Sequence, residues 1–129
     1  MKQKDKVLLI KDLCGRLPYR VKASTKIGTN IIVSFIGDDT IIGEDGDSYD
    51  ISFITPYLYP IWSMTEEQKQ YLKDRFCYEW NGEPYDLWEC QIEIGEADEI
   101  VDWFNENHID FRGLIPEGLA KDATQLNIY

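Results

Sequence analysis

Apolar residues recur at helical spacing near the start of the chain. Val7, Leu8, Ile10, Leu13 and Cys14 would cover one side of a helix over residues 4–14, with Gly15 as its C-terminal stop and Pro18 preventing continuation. The period then changes to two. Tyr19, Val21 and Ala23 alternate with Arg20, Lys22 and Ser24, and the β-branched run "NIIVSFI" predicts a central strand. "GDD" and "EDGD" flank "TIIG" as hairpin turns, and "SYDISFI" places Tyr49, Ile51 and Phe53 on one face. These segments predict an antiparallel meander of about four strands, closed off by Pro56 and Pro60.

The helical period returns in the middle of the chain. Thr65 and Gln68 have capping-box spacing and open a helix predicted over residues 66–78, with Tyr71, Leu72, Arg75 and Phe76 inward. "LWECQIEI" reads as a further strand with Trp88, Cys90, Ile92 and Ile94 inward and Glu89, Gln91 and Glu93 outward. A last helix over residues 96–107 buries Ala97, Ile100, Val101 and Phe104 and wets Asp98, Glu99, Asp102 and Glu106. This order predicts an α+β fold: an N-terminal helix, a curled antiparallel sheet of about four to five strands, and two further helices packed on it.

A chain of 129 residues with 43% hydrophobic residues suits one domain, 1–129, with a core of its own. No apolar run reaches the ~20 residues of a membrane span. The opening "MKQKDKVLLIKD" has too few apolar residues for a signal peptide, which predicts a cytoplasmic protein. Cys14, Cys77 and Cys90 are odd in number and far apart, a pattern for separate, buried, reduced thiols and against a zinc site.

Charge changes the picture more. Residues 1–26 carry a net +6 and residues 27–129 a net −17, giving −11 overall. Between Arg75 and Arg112 there is no Lys or Arg, while eleven acids and eight aromatics occur. Such an interval suits an anionic face that docks a basic host or phage protein, or mimics the phosphates of nucleic acid. Its candidate residues are Trp88, Glu89, Glu93, Asp98, Asp102 and Trp103. The alternative is a basic N-terminal face of Arg16, Arg20, Lys22 and Lys26 touching nucleic acid, which the net charge opposes at long range. An equally simple fate for those cations is to neutralise Glu89 and Glu93.

His108 is the sole histidine and is followed by Asp110 and Arg112, which invites a hydrolase reading. No nucleophile motif or zinc-binding His pair accompanies it. Its place at a helix end, before "IDFRGLIPEGLA", reads instead as scaffolding. There Gly113, Pro116 and Gly118 set chain reversals, Phe111, Leu114, Ile115 and Leu119 return to the core, and Asp110 with Arg112 forms a surface pair or local brace. "GEDGDSYD" lacks the acid spacing and terminal Glu of a calcium loop. No phosphate loop occurs. The reading is therefore a non-enzymatic protein with no catalytic residue, metal or cofactor, and no membrane partner.

At "KDLCGRLPYRVK", "TPYLYPIWSMTEEQ" and "WFNENHIDFRGLIPEGLAKDAT" the chain resembles small uncharacterised proteins encoded in phages, prophages and mobile elements of gut bacteria. The resemblance covers both ends and the centre, leaving residues 22–53 as the variable part. It supplies no activity, cofactor or catalytic residue; it implies an accessory protein that acts by binding.

Overall fold

A computed structural model describes residues 1–76 and 94–129, with the side chains of the second stretch described from residue 97. The chain opens with α1 (Gln3–Arg16), whose buried face is Leu9, Asp12, Leu13 and Arg16. That stripe has helical spacing but is rotated from the apolar one, since Val7 is 55% exposed and Cys14 is exposed. The rotation arises because an ion pair, Asp12 with Arg16, occupies two inward positions. The expectation of a buried Cys14 is corrected accordingly; Cys77 and Cys90 lie outside the described residues. Gly15 does not stop the helix either. A Cβ there would sit 2.7 Å from Asn105 Nδ2, so the glycine admits a neighbouring helix.

After a 3-10 turn (Leu17–Tyr19), β1 (Lys22–Thr25), β2 (Asn30–Ile36), β3 (Thr40–Gly43) and β4 (Ser48–Asp50) form successive antiparallel hairpins. In the β3–β4 hairpin, Gly46 takes φ 86° and Asp45 Oδ1 accepts the Asp47 N–H at 3.0 Å. The alternation expected through Phe53 breaks at Asp50. Its carboxylate accepts the Ser52 N–H at 2.9 Å and the Ser52 hydroxyl at 2.6 Å, folding Ile51–Phe53 into a 3-10 turn. Ile51 still points inward, but Phe53 is 45% exposed.

The prolines expected to close the meander lie instead within β5 (Ile54–Pro60), an inner strand. Pro56 stands opposite Ala23 of β1, which pairs antiparallel with one edge of β5. Further along β5, β6 (Ile109–Asp110) and β7 (Lys121–Asp122) pair parallel to Tyr59–Pro60 and Tyr57–Leu58 respectively, on opposite edges of the strand. The expected meander corresponds to β1 to β4; β5 lies outside that expectation, and with the two short parallel strands it makes a mixed sheet of seven among the described residues. The strand expected over residues 87–94 lies outside the described residues, apart from Ile94.

Two helices complete the α+β fold. Helix α2 (Glu66–Phe76) is opened by the expected capping box: Thr65 N–H donates to Gln68 Oε1 at 3.0 Å, and Gln68 N–H to Thr65 Oγ1 at 3.1 Å. Leu72 and Phe76 are buried, while Tyr71 and Arg75 are exposed and leave the predicted inner face. Helix α3 (Ile94–Glu106) buries Ile100 and Phe104, but Ala97 is exposed and Asn105 takes an interior place.

The core has two parts. Leu9, Leu13, Val21, Ile41 and Leu58 anchor the one between α1 and the sheet; Ile61, Leu72, Ile100 and Phe104 anchor the one around α2 and α3. The segment after α3 serves both, with Ile109 and Phe111 in the second part and Leu114 and Leu119 in the first. Gly113 and Gly118 have φ of 81° and 75°, which places the expected reversals. Among the described residues no helix is long and apolar enough to cross a membrane.

Candidate interaction surface

Burying Ile100 and Phe104 turns the opposite side of α3 to solvent, where Asp98, Glu99, Asp102 and Glu106 are all exposed. The helix contains five acids and no Lys or Arg. Trp103 lies at the boundary, half-buried beside Phe104. Its ring stacks on Tyr71 of α2 with centroids 5.4 Å apart and planes at 17°, and Tyr71 is 44% exposed. Asp74 lies one turn beyond Tyr71, and Glu99 and Glu106 lie one turn either side of Trp103. An aromatic pair is thus set within a largely anionic helical surface. Arg75 of α2 pairs with Glu99 at its edge.

The stack continues inward. Trp103 meets Phe104 edge-on at 5.5 Å, and Phe104 stacks on Phe111 at 5.3 Å. Phe111 lies between two guanidinium groups, Arg112 at 4.3 Å and Arg16 at 5.7 Å from its ring centre. The position of Trp103 is therefore fixed by packing from α2 through to α1.

Of the sequence-predicted partner residues, the structure brings Asp98, Asp102 and Trp103 to this surface; Trp88, Glu89 and Glu93 lie outside the described residues. Tyr71 was missed because period-3.6 reading assigned it to the core. The signal that finds it is its neighbours Gln70 and Asp74, which hydrogen-bond each other at 2.8 Å on the wet side of α2.

The basic set does not assemble into a face. Arg16 is fully buried, its Nε and Nη2 donating to the Asp12 carboxylate at 2.7 and 3.1 Å and Nη2 also to the Ile109 carbonyl at 2.7 Å. It is corrected from a surface cation to an interior one. Arg20 pairs with Glu44 at 3.1 Å. Lys22 donates to the Ile128 carbonyl at 2.7 Å, and Lys26 lies over the Phe53 ring at 4.8 Å.

His108 closes α3 in the left-handed region at φ 57°, its N–H donating to Asn105 O at 3.1 Å and its carbonyl accepting from Tyr59 N–H at 2.8 Å. Its ring lies flat on Tyr129, with centroids 3.7 Å apart and planes at 10°. Burial, then the charges of Arg16 and Lys22, push its pKa down to about 4, which keeps the imidazole neutral. Asp110 is fully buried, and burial raises its pKa. Its two oxygens accept the N–H groups of Gly113, Leu114 and Ile115 at 3.1, 2.9 and 2.9 Å. The carboxylate therefore organises the turn. It does not pair with Arg112, which donates to Asp12 at 2.9 Å, so the expected local Asp–Arg brace is replaced by a link across the fold.

Comparison of the chain with protein-family models, curated proteins and solved structures finds no match.

Proposed function

We propose that the protein is a non-enzymatic accessory protein that docks a basic protein partner on the outer face of α3, in keeping with its resemblance to small proteins of phages and mobile elements. The observation that supports this reading is the Tyr71–Trp103 stack set among the exposed acids of α3. Aromatic pairs supply contact area at low entropic cost, and the surrounding carboxylates attract and orient a cationic partner. The acids Glu89 and Glu93 and the indole of Trp88 belong to the same acidic, aromatic stretch of sequence and to the same expected partner-binding set.

A lysine- and arginine-rich peptide serves as the probe, with association followed by stopped-flow fluorescence at low and physiological salt. The variant carrying Glu89→Gln, Glu93→Gln, Asp98→Asn and Asp102→Asn is expected to associate on the order of tenfold more slowly at low salt, with the difference shrinking as salt screens the field. Trp103→Ala is expected to speed dissociation. Unchanged association in the quadruple variant, with binding to duplex DNA that is lost on charge reversal of Arg20, Lys22 and Lys26, would transfer the function to nucleic acid.

A further inference from the structure

A groove of about 470 Å³ opens where β5 leads through a 3-10 turn (Ile61–Ser63) into α2. We propose that this groove is a binding site for a neutral carbohydrate, separate from the α3 surface and independent of its function. Small-ligand sites typically enclose ~300–1,000 Å³, so one to a few sugar rings match its size. Its aromatic surface is Tyr59 and Trp62, the latter 51% exposed, and the buried Ile109 lies at its floor.

Among the described residues the polar lining consists of Ser63, Thr65, Gln68 and Thr124, all uncharged. Each is already fixed by one bond, which defines what it still offers. Ser63 Oγ donates to the Pro60 carbonyl at 2.6 Å and Thr124 Oγ1 to Asp122 at 2.7 Å, leaving both oxygens as acceptors. Thr65 Oγ1 and Gln68 Oε1 accept from backbone N–H groups in the capping box, leaving a hydroxyl and an amide NH₂ as donors.

Two acceptors and two donors beside aromatic faces match a sugar, whose hydroxyls both donate and accept and whose C–H face is apolar. Other ligand classes fit less well. An anion would find no cation among the described lining residues. A metal ion would find no carboxylate, thiol or imidazole among the described lining residues. A polyproline peptide presents carbonyl acceptors alone and would leave Ser63 and Thr124 with no donor.

The test is saturation-transfer NMR on the full chain with maltotriose, cellotriose and N-acetylchitotriose as probes. At least one is expected to show transfer to its ring protons and to shift amides confined to the groove. Trp62→Ala should abolish the transfer, and Trp62 is exposed enough for its truncation to spare the core. Gln68→Glu keeps the capping oxygen but removes the donor, and should weaken binding roughly tenfold while the fold is retained. Asp98→Asn with Asp102→Asn should leave it unchanged. Absence of transfer from all three sugars, transfer that persists in Trp62→Ala, or decaproline or adenosine binding the groove in their place would overturn the proposal.

Discussion

At residue 108 a side chain with a Cβ occupies left-handed backbone and is held there by stacking on Tyr129. Left-handed geometry costs a non-glycine residue about 1–2 kcal/mol. Both His108→Gly and His108→Ala lose the stack, but only the glycine variant sheds the backbone strain. The glycine variant should therefore be the more stable by about 1 kcal/mol in urea denaturation. Equal stability would show that the segment relaxes out of this conformation. Protonation gives a second expectation. The unfolded imidazole takes up a proton near pH 6.5, the folded one only near 4, so its contribution is whole above pH 6.5 and is lost as pH falls between these values. Allowing for solvent screening of a half-buried ring, that loss is about 1–2 kcal/mol. Asp110, whose pKa burial raises, acts in the opposite sense on acidification. The stability difference between the native chain and His108→Gln isolates the histidine, and should shift in favour of the variant from pH 6.5 to 4. The sequence marked His108 as structural through its missing partners; the left-handed turn was not legible, because it depends on Tyr129 arriving from elsewhere.

Helix α1 shows how an element can be found correctly and turned wrongly. Its existence followed from periodicity, but apolar residues alone assigned Val7 and Cys14 to the core in place of Asp12 and Arg16. The spacing of Asp12 and Arg16 was a readable sign of a pair. What the sequence withheld was the second arginine, since Arg112 reaches Asp12 from a hundred residues away. Removing one partner of a buried pair leaves an uncompensated charge, so Asp12→Ala should cost about 3–5 kcal/mol, a large share of a small domain's stability. Asp12→Leu combined with Arg16→Met should cost less than Asp12→Ala alone, as read from the denaturation midpoint, because the two fully buried charges leave together and only Arg112, which reaches solvent, loses its partner. A double variant worse than the single one would mean that the Arg16 bond to Ile109 dominates. The capping box of α2 was legible because all its atoms are local. Strand β5 was not, because its prolines are tolerated only in the particular pairing that later segments provide.

Across the whole molecule, folding offsets part of the division into a basic first fifth and an acidic remainder. Lys6 pairs with Asp39 and Arg20 with Glu44, both in the acidic part, while Arg16 pairs with Asp12 in its own helix. The acids of α3 remain clustered because no basic residue lies within that helix. Composition revealed the imbalance; only topology decided which half stayed uneven. The same topology has a consequence for the chain as it leaves the ribosome. By residue 60 the meander is complete, yet the edge of β5 that faces β7 meets this described partner only at residues 121–122. At about 5–20 residues per second, that edge stays open for several seconds in a nascent chain. An open edge recruits strands from other molecules. Alternate residues present their N–H groups to one edge, and Pro56 and Pro60 lack theirs, so the edge that β7 later covers offers the N–H of Leu58 alone. Replacing both prolines by valine should therefore raise the insoluble fraction of freshly translated chain, and most of all when synthesis is arrested near residue 107. An unchanged insoluble fraction would deny the prolines this protective role during synthesis.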